Sequence, residues 1–211
     1  MLRWRRLAGQ RYRSCTFENF RFFGTSAEQS QQRRVVEAVR TFATNLAADI
    51  ECGRNLLLFG PPGTGKDHLL AAVLREVFKL GPRFSEEGAT KWTSGAELFA
   101  SMRDTFDSKE RTESRELGGW VHPGVLAISD PQPPFARDAR DELTKFESTF
   151  LLRVIDARYR DRKPTFVTLN GFNRAEAAGR IGAQVVDRLG DDALVCFCNW
   201  PSYRKPSEVI E

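Results

Sequence analysis

The chain has few of the residues that staple, metallate or embed a protein. Its 211 residues include four cysteines and two histidines. Cys15, Cys52, Cys196 and Cys198 lack both a paired C-x-x-C spacing and the density of a secreted disulfide scaffold, which points to reduced thiols without a metal. Cys196 and Cys198 read as alternate positions of one strand. No run approaches the ~18 apolar residues of a membrane span, and Met1-Leu2-Arg3-Trp4-Arg5-Arg6 lacks the apolar stretch of a signal peptide. A cytoplasmic protein with no membrane partner is expected. Internal repeats and low-complexity segments are absent as well, which excludes solenoids and compositionally disordered linkers.

Nor is there a large excess of one charge. The net charge is +4, but the basic residues are uneven: Arg3, Arg5, Arg6, Arg11 and Arg13 crowd the start, and Arg158, Arg160, Arg162 and Lys163 cluster later. Each group reads either as a solvated face or as a contact for a phosphate-bearing partner. Trp4 and Tyr12, interleaved with the first cluster, suggest base stacking on single-stranded DNA. With 41% hydrophobic residues the chain can bury one substantial core, so one domain with short tails is expected.

What is present is a repeated change of hydrophobic period. Ser26 opens a helix with Val35, Val36, Val39, Phe42, Leu46 and Ile50 at helical spacing, stopped by Gly53. Asn55-Leu56-Leu57-Leu58-Phe59 is an unbroken apolar run ending in glycine, the pattern of a strand buried on both faces. A buried helix from Leu69 to Phe78 ends at Gly81-Pro82. Lys91-Trp92-Thr93 forms a further strand, and Ser94 caps a helix with Leu98, Phe99, Met102 and Phe106 on one face. Residues 107–118 are almost wholly polar and are expected to form an exposed, mobile connection. Val125 to Ile128 is a strand, followed by a proline-rich turn and a helix from about Leu143 to Arg160. Thr165 to Leu169 is a strand, Asn173 to Leu189 is helical with a break near Gly182, and Leu194 to Phe197 is the last strand. Strands alternating with helices imply an α/β fold with a parallel sheet covered on both faces.

Gly60-Pro61-Pro62-Gly63-Thr64-Gly65-Lys66 matches G-x-x-x-x-G-K between a buried strand and a helix start, the context that makes a P-loop match specific. Glycines let the backbone curl so that amides face phosphate, the helix N-terminus adds positive potential, and Lys66 neutralises β and γ charge. ATP with Mg2+ is the expected ligand, held from Gly60 through Asp67 and His68. Asp67 stands where Ser or Thr normally ligates magnesium, and its carboxylate can also hold a hard cation. The strand ending Ile128-Ser129-Asp130-Pro131 should supply the metal-side aspartate and then a water-activating glutamate. Two registers are open: Asp130 as the metal ligand with Pro131 in the glutamate position, or Ser129 in the aspartate position with Asp130 following. In both, one of two carboxylates is missing. Asn170, ending the strand at Leu169, is placed to orient water at the γ-phosphate, although Asn170-Gly171 also reads as a plain turn.

The strings GPPGTGKDHLLAAV, SMRDTF, VVDRL and CNWPSYR, in this order from about Phe17 to Arg204, resemble the ATPase core of the DnaC/DnaI-type replicative helicase loaders and the related IstB-type transposition ATPases. The resemblance implies an AAA+ domain over residues 17–204 with a five-stranded parallel sheet and no separate lid domain. A basic N-terminal tail (1–16) and a C-terminal tail (205–211) flank it. It further implies ATP bound between subunits of a homo-oligomer, and action on single-stranded DNA, a replicative helicase or a transposition protein. By the same matching Lys66 binds phosphate, Asn170 is a sensor, Arg188 is an arginine finger for a neighbour, and Arg204 is a second sensor. Arginine suits these roles because its guanidinium fork stabilises charge developing on a transferred phosphoryl group. The altered positions after Lys66 and around Asp130 lead to an expectation of slow hydrolysis. The alternative is a nucleotide-gated binding switch with little turnover.

Overall fold

The computed structural model describes residues 2–105, 112–132 and 143–204. In chain order the elements are α1 (Leu2–Tyr12), α2 (Ser26–Thr44), α3 (Leu46–Cys52), β1 (Leu56–Phe59), α4 (Lys66–Lys79), α5 (Pro82–Ser85), β2 (Thr90–Ser94), α6 (Gly95–Arg103), α7 (Glu113–Val121), β3 (Val125–Ser129), α8 (Lys145–Arg160), β4 (Thr165–Leu169), α9 (Arg174–Ile181), α10 (Ala183–Gly190) and β5 (Leu194–Phe197). The five strands form one sheet in the order β2-β3-β4-β1-β5, and every neighbouring pair is parallel. The expected α/β fold with a five-stranded parallel sheet is therefore present.

Alternation along the strands divides the core in two. Leu56 and Leu58 of β1, Val125 and Ala127 of β3, and Phe166 of β4 face one layer, packed by α1, α2, α3, α4 and α5. Leu57, Phe59, Leu126, Ile128, Val167 and Leu169 face the other, covered by α6 to α10. Because side chains alternate with period two, this parity decides where each strand's last residue points. It sends Ser129 and Thr168, register partners across β3 and β4, to the α4 side.

Several expected boundaries shift for local reasons. Helix α2 is capped by Thr25, not Ser26: Thr25 and Glu28 form a capping box, the reciprocal pairing that a T-x-x-E sequence encodes. The chain breaks at Asn45 between α2 and α3, and Gly53 then ends α3 in the left-handed conformation, φ 81°. The polar stretch expected as a mobile connection is helical from Glu113, with Thr112 as its cap and Trp120 buried. Its earlier part, with Phe106, lies outside the described residues. So do Pro133 and Pro134.

The arginine-rich start is the larger departure. Helix α1 packs against α4 and β2, with Trp4 and Ala8 in the core. Trp4 meets Phe78 edge-on at 5.6 Å and its indole N–H donates to the Arg13 carbonyl at 3.0 Å. Its ring is unavailable for the expected base stacking. Tyr12, half-buried, meets Trp92 at 5.2 Å.

Candidate functional site

The P-loop joins the end of β1 to α4 at the carboxyl edge of the sheet, where crevices in open parallel sheets lie. Its backbone needs glycine: Gly63 and Gly65 have φ of 83° and 89°, and a Cβ on Gly65 would come within 2.9 Å of the Phe20 ring. Helices α2, α6 and α8 begin with side-chain capping boxes, whereas α4 begins at Gly65 with no side-chain cap. Its first amides are left to an outside acceptor, the property that makes a helix N-terminus bind anions. The loop is pinned from behind by the chain's end: Trp200 Nε1 donates to Thr64 O at 3.0 Å, and the Tyr203 amide donates to Gly63 O at 2.8 Å.

In front of the loop lies a cavity of about 520 Å³ whose lining includes Tyr12, Phe20, Lys66, Asp67, Asp130 and Arg204. One wall is the N-terminal segment, held down by His68, whose Nε2 donates to Thr16 O at 2.8 Å and whose ring meets Phe20 edge-on at 5.2 Å. Burial pushes the His68 pKa below its ordinary value, with the Thr16 carbonyl pulling the other way.

Lys66 is buried at the cavity floor. Its ammonium donates to Gly60 O at 2.6 Å, Pro61 O at 2.8 Å and Asn170 Oδ1 at 3.0 Å. Asn170 Nδ2 in turn donates to Asp130 Oδ2, and Arg180 Nη1 fixes the Asn170 carbonyl at 2.8 Å. Burial lowers the lysine's pKa, against the pull of the Asp67 and Asp130 charges. Burial also raises that of Asp130, opposed by hydrogen bonding from Asn170 and by the Lys66 charge. Asp130 is held at φ 52° just beyond β3, and its Oδ1 is buried without a partner among the described residues. Asp130 and Pro131 turn across Gly95, where a Cβ would run into the backbone of both.

Asp67 is surrounded by hydroxyls. Its Oδ1 accepts from Ser129 Oγ at 2.9 Å and Thr168 Oγ1 at 3.0 Å, and its Oδ2 from Tyr12 OH at 3.4 Å. Ser129 therefore faces the P-loop helix, and Asp130 follows it beyond the strand. The sequence offers no role at this site for Thr168 or Trp92, and offers Tyr12 only for base stacking. Strand parity marks Thr168, but Tyr12 and Trp92 depend on the docking of α1, which no local pattern signals.

Of the other expected site residues, Arg204 lines the cavity. Arg188 does not. It lies on α10 paired with Asp156, and its backbone carbonyl accepts from Asn55 just before β1, at the edge of the sheet opposite the P-loop. Within one chain the two arginines do not meet.

A loop of left-handed glycines, an uncapped helix start, a buried ammonium and an orphaned carboxylate oxygen together fit a polyphosphate accompanied by a hard cation. No protein-family model matches the chain. The replicative helicase loader DnaC of Escherichia coli strain K12 is 27% identical over 195 residues, covering 92% of this chain and 70% of that protein. A crystal structure of the DnaC helicase loader superimposes with a TM-score of 0.69 at 21% identity, covering 90% of this chain and 99% of that one. A putative insertion sequence ATP-binding protein of Sinorhizobium fredii (strain NBRC 101917 / NGR234) is 31% identical over 161 residues, 74% of this chain and 48% of that protein. The replication initiator DnaA, solved with AMPPCP and single-stranded DNA, aligns over 86% of this chain and 49% of its own with a TM-score of 0.63 and 20% identity. The chain is thus similar in sequence to the DnaC helicase loader and to an insertion sequence ATP-binding protein, and it shares the P-loop-bearing α/β fold of the DnaC and DnaA structures.

Proposed function

We propose that this protein binds ATP with Mg2+ at the P-loop and hydrolyses it slowly while acting on single-stranded DNA, a replicative helicase or a transposition protein. The observation that carries the reading is the convergence of Lys66, Asn170, Asp130 and Asp67 at the carboxyl ends of β1, β4 and β3 beneath one cavity. Bound there, ATP and Mg2+ supply the transferable phosphoryl group and the divalent charge that neutralises it. Lys66 exchanges its carbonyl partners for phosphate oxygens. Asp130, which lines the cavity, takes the proton of an attacking water, and the burial that raises its pKa makes it the better base. Asn170 orients that water, and Arg204 stabilises charge from the cavity wall. Arg188, at the far edge of the sheet, acts in a neighbouring subunit of a homo-oligomer.

The test is ATP binding and turnover with and without single-stranded DNA, for the native chain, Asp130→Asn and Arg188→Ala, over a range of protein concentrations. The expected outcome is retained binding in all three. Turnover should rise with concentration in the native chain and fall about 100-fold or more in Asp130→Asn, the scale of losing a catalytic base. In Arg188→Ala it should lose its concentration dependence. Equal turnover in native and Asp130→Asn would remove Asp130 from the chemistry. A second reading, a nucleotide-gated switch, draws on the shortness of Asp130, one methylene less than glutamate. Tight binding by the native chain without turnover would favour it.

A further inference from the structure

We propose that the two side chains flanking the metal position have exchanged elements: the carboxylate comes from the P-loop helix as Asp67, and the hydroxyl from β3 as Ser129. This rests on the nucleotide-binding reading above and deepens it. In P-loop NTPases a Ser or Thr after the lysine and an aspartate ending a neighbouring strand hold the same Mg2+. One hydroxyl and one carboxylate are needed, and the metal is indifferent to which element brings which. Here Asp67 follows Lys66, Ser129 ends β3, and the two side chains are hydrogen-bonded at 2.9 Å. The pair is conserved in chemistry and reversed in origin.

The surroundings are arranged for that reversal. Trp92 Nε1 donates to Ser129 Oγ at 2.9 Å, so the serine oxygen already receives one hydrogen bond and directs its own proton to Asp67. Thr168 adds a second donor to the same Asp67 oxygen. Oδ1 is thereby held from two strands, Oδ2 takes the longer contact from Tyr12, and Asp67 lines the cavity. A hydroxyl at position 67 would leave Ser129, Thr168 and Tyr12 converging on a group that carries no charge. A carboxylate there accepts from all three.

The exchange also accounts for both carboxylates at the site. The strand ending at Ser129 supplies one of the two carboxylates expected there, Asp130, and the P-loop helix supplies Asp67; in this proposal Asp67 serves the metal side and Asp130 the water side. Their separation into different roles follows from geometry: Asp67 is ringed by hydroxyl donors, while Asp130 pairs with Asn170 and keeps one oxygen free.

The experiment is the Mg2+ dependence of ATP affinity, measured with a fluorescent ATP analogue in Mg2+ and in EDTA, and with Mn2+ as a spin probe. It compares the native chain, Asp67→Asn, Asp67→Thr, Ser129→Asp and the double variant Asp67→Thr/Ser129→Asp. The isosteric Asp67→Asn tests the charge alone, and circular dichroism melts establish that each variant folds. Loss of a metal-side group should lower the Mg2+-dependent gain about 10- to 100-fold in Asp67→Asn and Asp67→Thr. Ser129→Asp, with two carboxylates face to face, should weaken ATP binding in EDTA. The double variant, which restores the ordinary arrangement, should recover the gain to within about threefold, a non-additivity expected only of groups in contact. Undiminished Mg2+ dependence in Asp67→Asn, or a double variant no better than the sum of the singles, overturns the exchange while leaving nucleotide binding intact. A native chain that binds no ATP under either condition overturns both.

Discussion

Two cations are buried at opposite ends of the same sheet, and they are buried for different purposes. Arg158, on α8, has no exposed surface. Its guanidinium donates to the carbonyls of Trp120, Val121, Pro123 and Pro164 and to Thr165 Oγ1. It knits α7 and the loop before β3 to the start of β4. Burial pushes its pKa down to about 9, so it stays charged near neutrality. Lys66, at the carboxyl edge, also donates to carbonyls, but they belong to the glycine loop, and its third partner is a side chain. It borders the cavity; Arg158 does not. The planar fork suits a permanent multi-carbonyl clasp, and the flexible ammonium suits partners that change. In this fold one edge of the sheet is built to stay and the other to exchange ligands.

The comparison breaks most visibly at Arg158. Arg158→Met keeps much of the volume but strands several buried carbonyls, an effect on the order of 3–5 kcal/mol for breaking a buried charged network. A melting temperature lower by roughly 10 °C or more is expected for a chain of this size, with the ATP affinity of the folded protein unchanged. A small thermal shift would mean that water replaces the guanidinium and that the clasp is dispensable. The opposite pattern is expected of Lys66→Ala. Its loss should cost about 100-fold in ATP affinity, roughly 2.8 kcal/mol, while the melting temperature without nucleotide moves little, because a desolvated charge is removed along with its hydrogen bonds. Calorimetric melts paired with nucleotide titrations on both variants would show whether the two effects separate by edge.

The second basic cluster shows how charge misleads when read along a chain. Arg158 and Lys163 looked like part of a solvated or phosphate-binding group with Arg160 and Arg162, yet Arg158 is fully buried and Lys163 caps the Val121 carbonyl at 3.1 Å. The start of the chain misleads differently: its arginines are exposed, as a solvated face would be, but the helix that carries most of them is docked. Its arginines dominate the composition, while Trp4 and Ala8, which anchor α1, are too few to register as a hydrophobic stripe. The P-loop and all five strands were legible because glycine spacing and apolar runs are local signals. Strand order was not, since β4 inserts between β1 and β3, and that insertion brings Thr168 and Asn170 to the P-loop. The direction of Ser129 needed parity fixed by a neighbour: Ser129 pairs with Thr168, and both face Asp67. Arg188 is the reverse case, a residue matched by motif whose expected function depends on another copy of the chain.

The smallest effect sharpens the exchangeable edge further. His68 ties the N-terminal wall of the cavity to the start of α4 through Thr16, and burial lowers its pKa from the ordinary 6.5. The folded protein therefore binds the His68 proton less readily than the unfolded chain. Above pH 6.5 both states hold a neutral ring and the site contributes its full stability; as pH falls from there towards the lower folded value, protonation favours the unfolded chain and stability declines. Asp130, with its pKa raised, pulls the other way at more acidic pH, because the folded state there holds the carboxyl proton more tightly. The difference between native and His68→Gln melting temperatures, followed from pH 7.5 to 5.5, isolates the histidine. The native chain should lose more than the variant over that interval, because glutamine keeps a donor for Thr16 but does not titrate. Parallel slopes would mean that the wall yields to water when His68 is protonated, and that this edge of the cavity is looser than its hydrogen bonds imply.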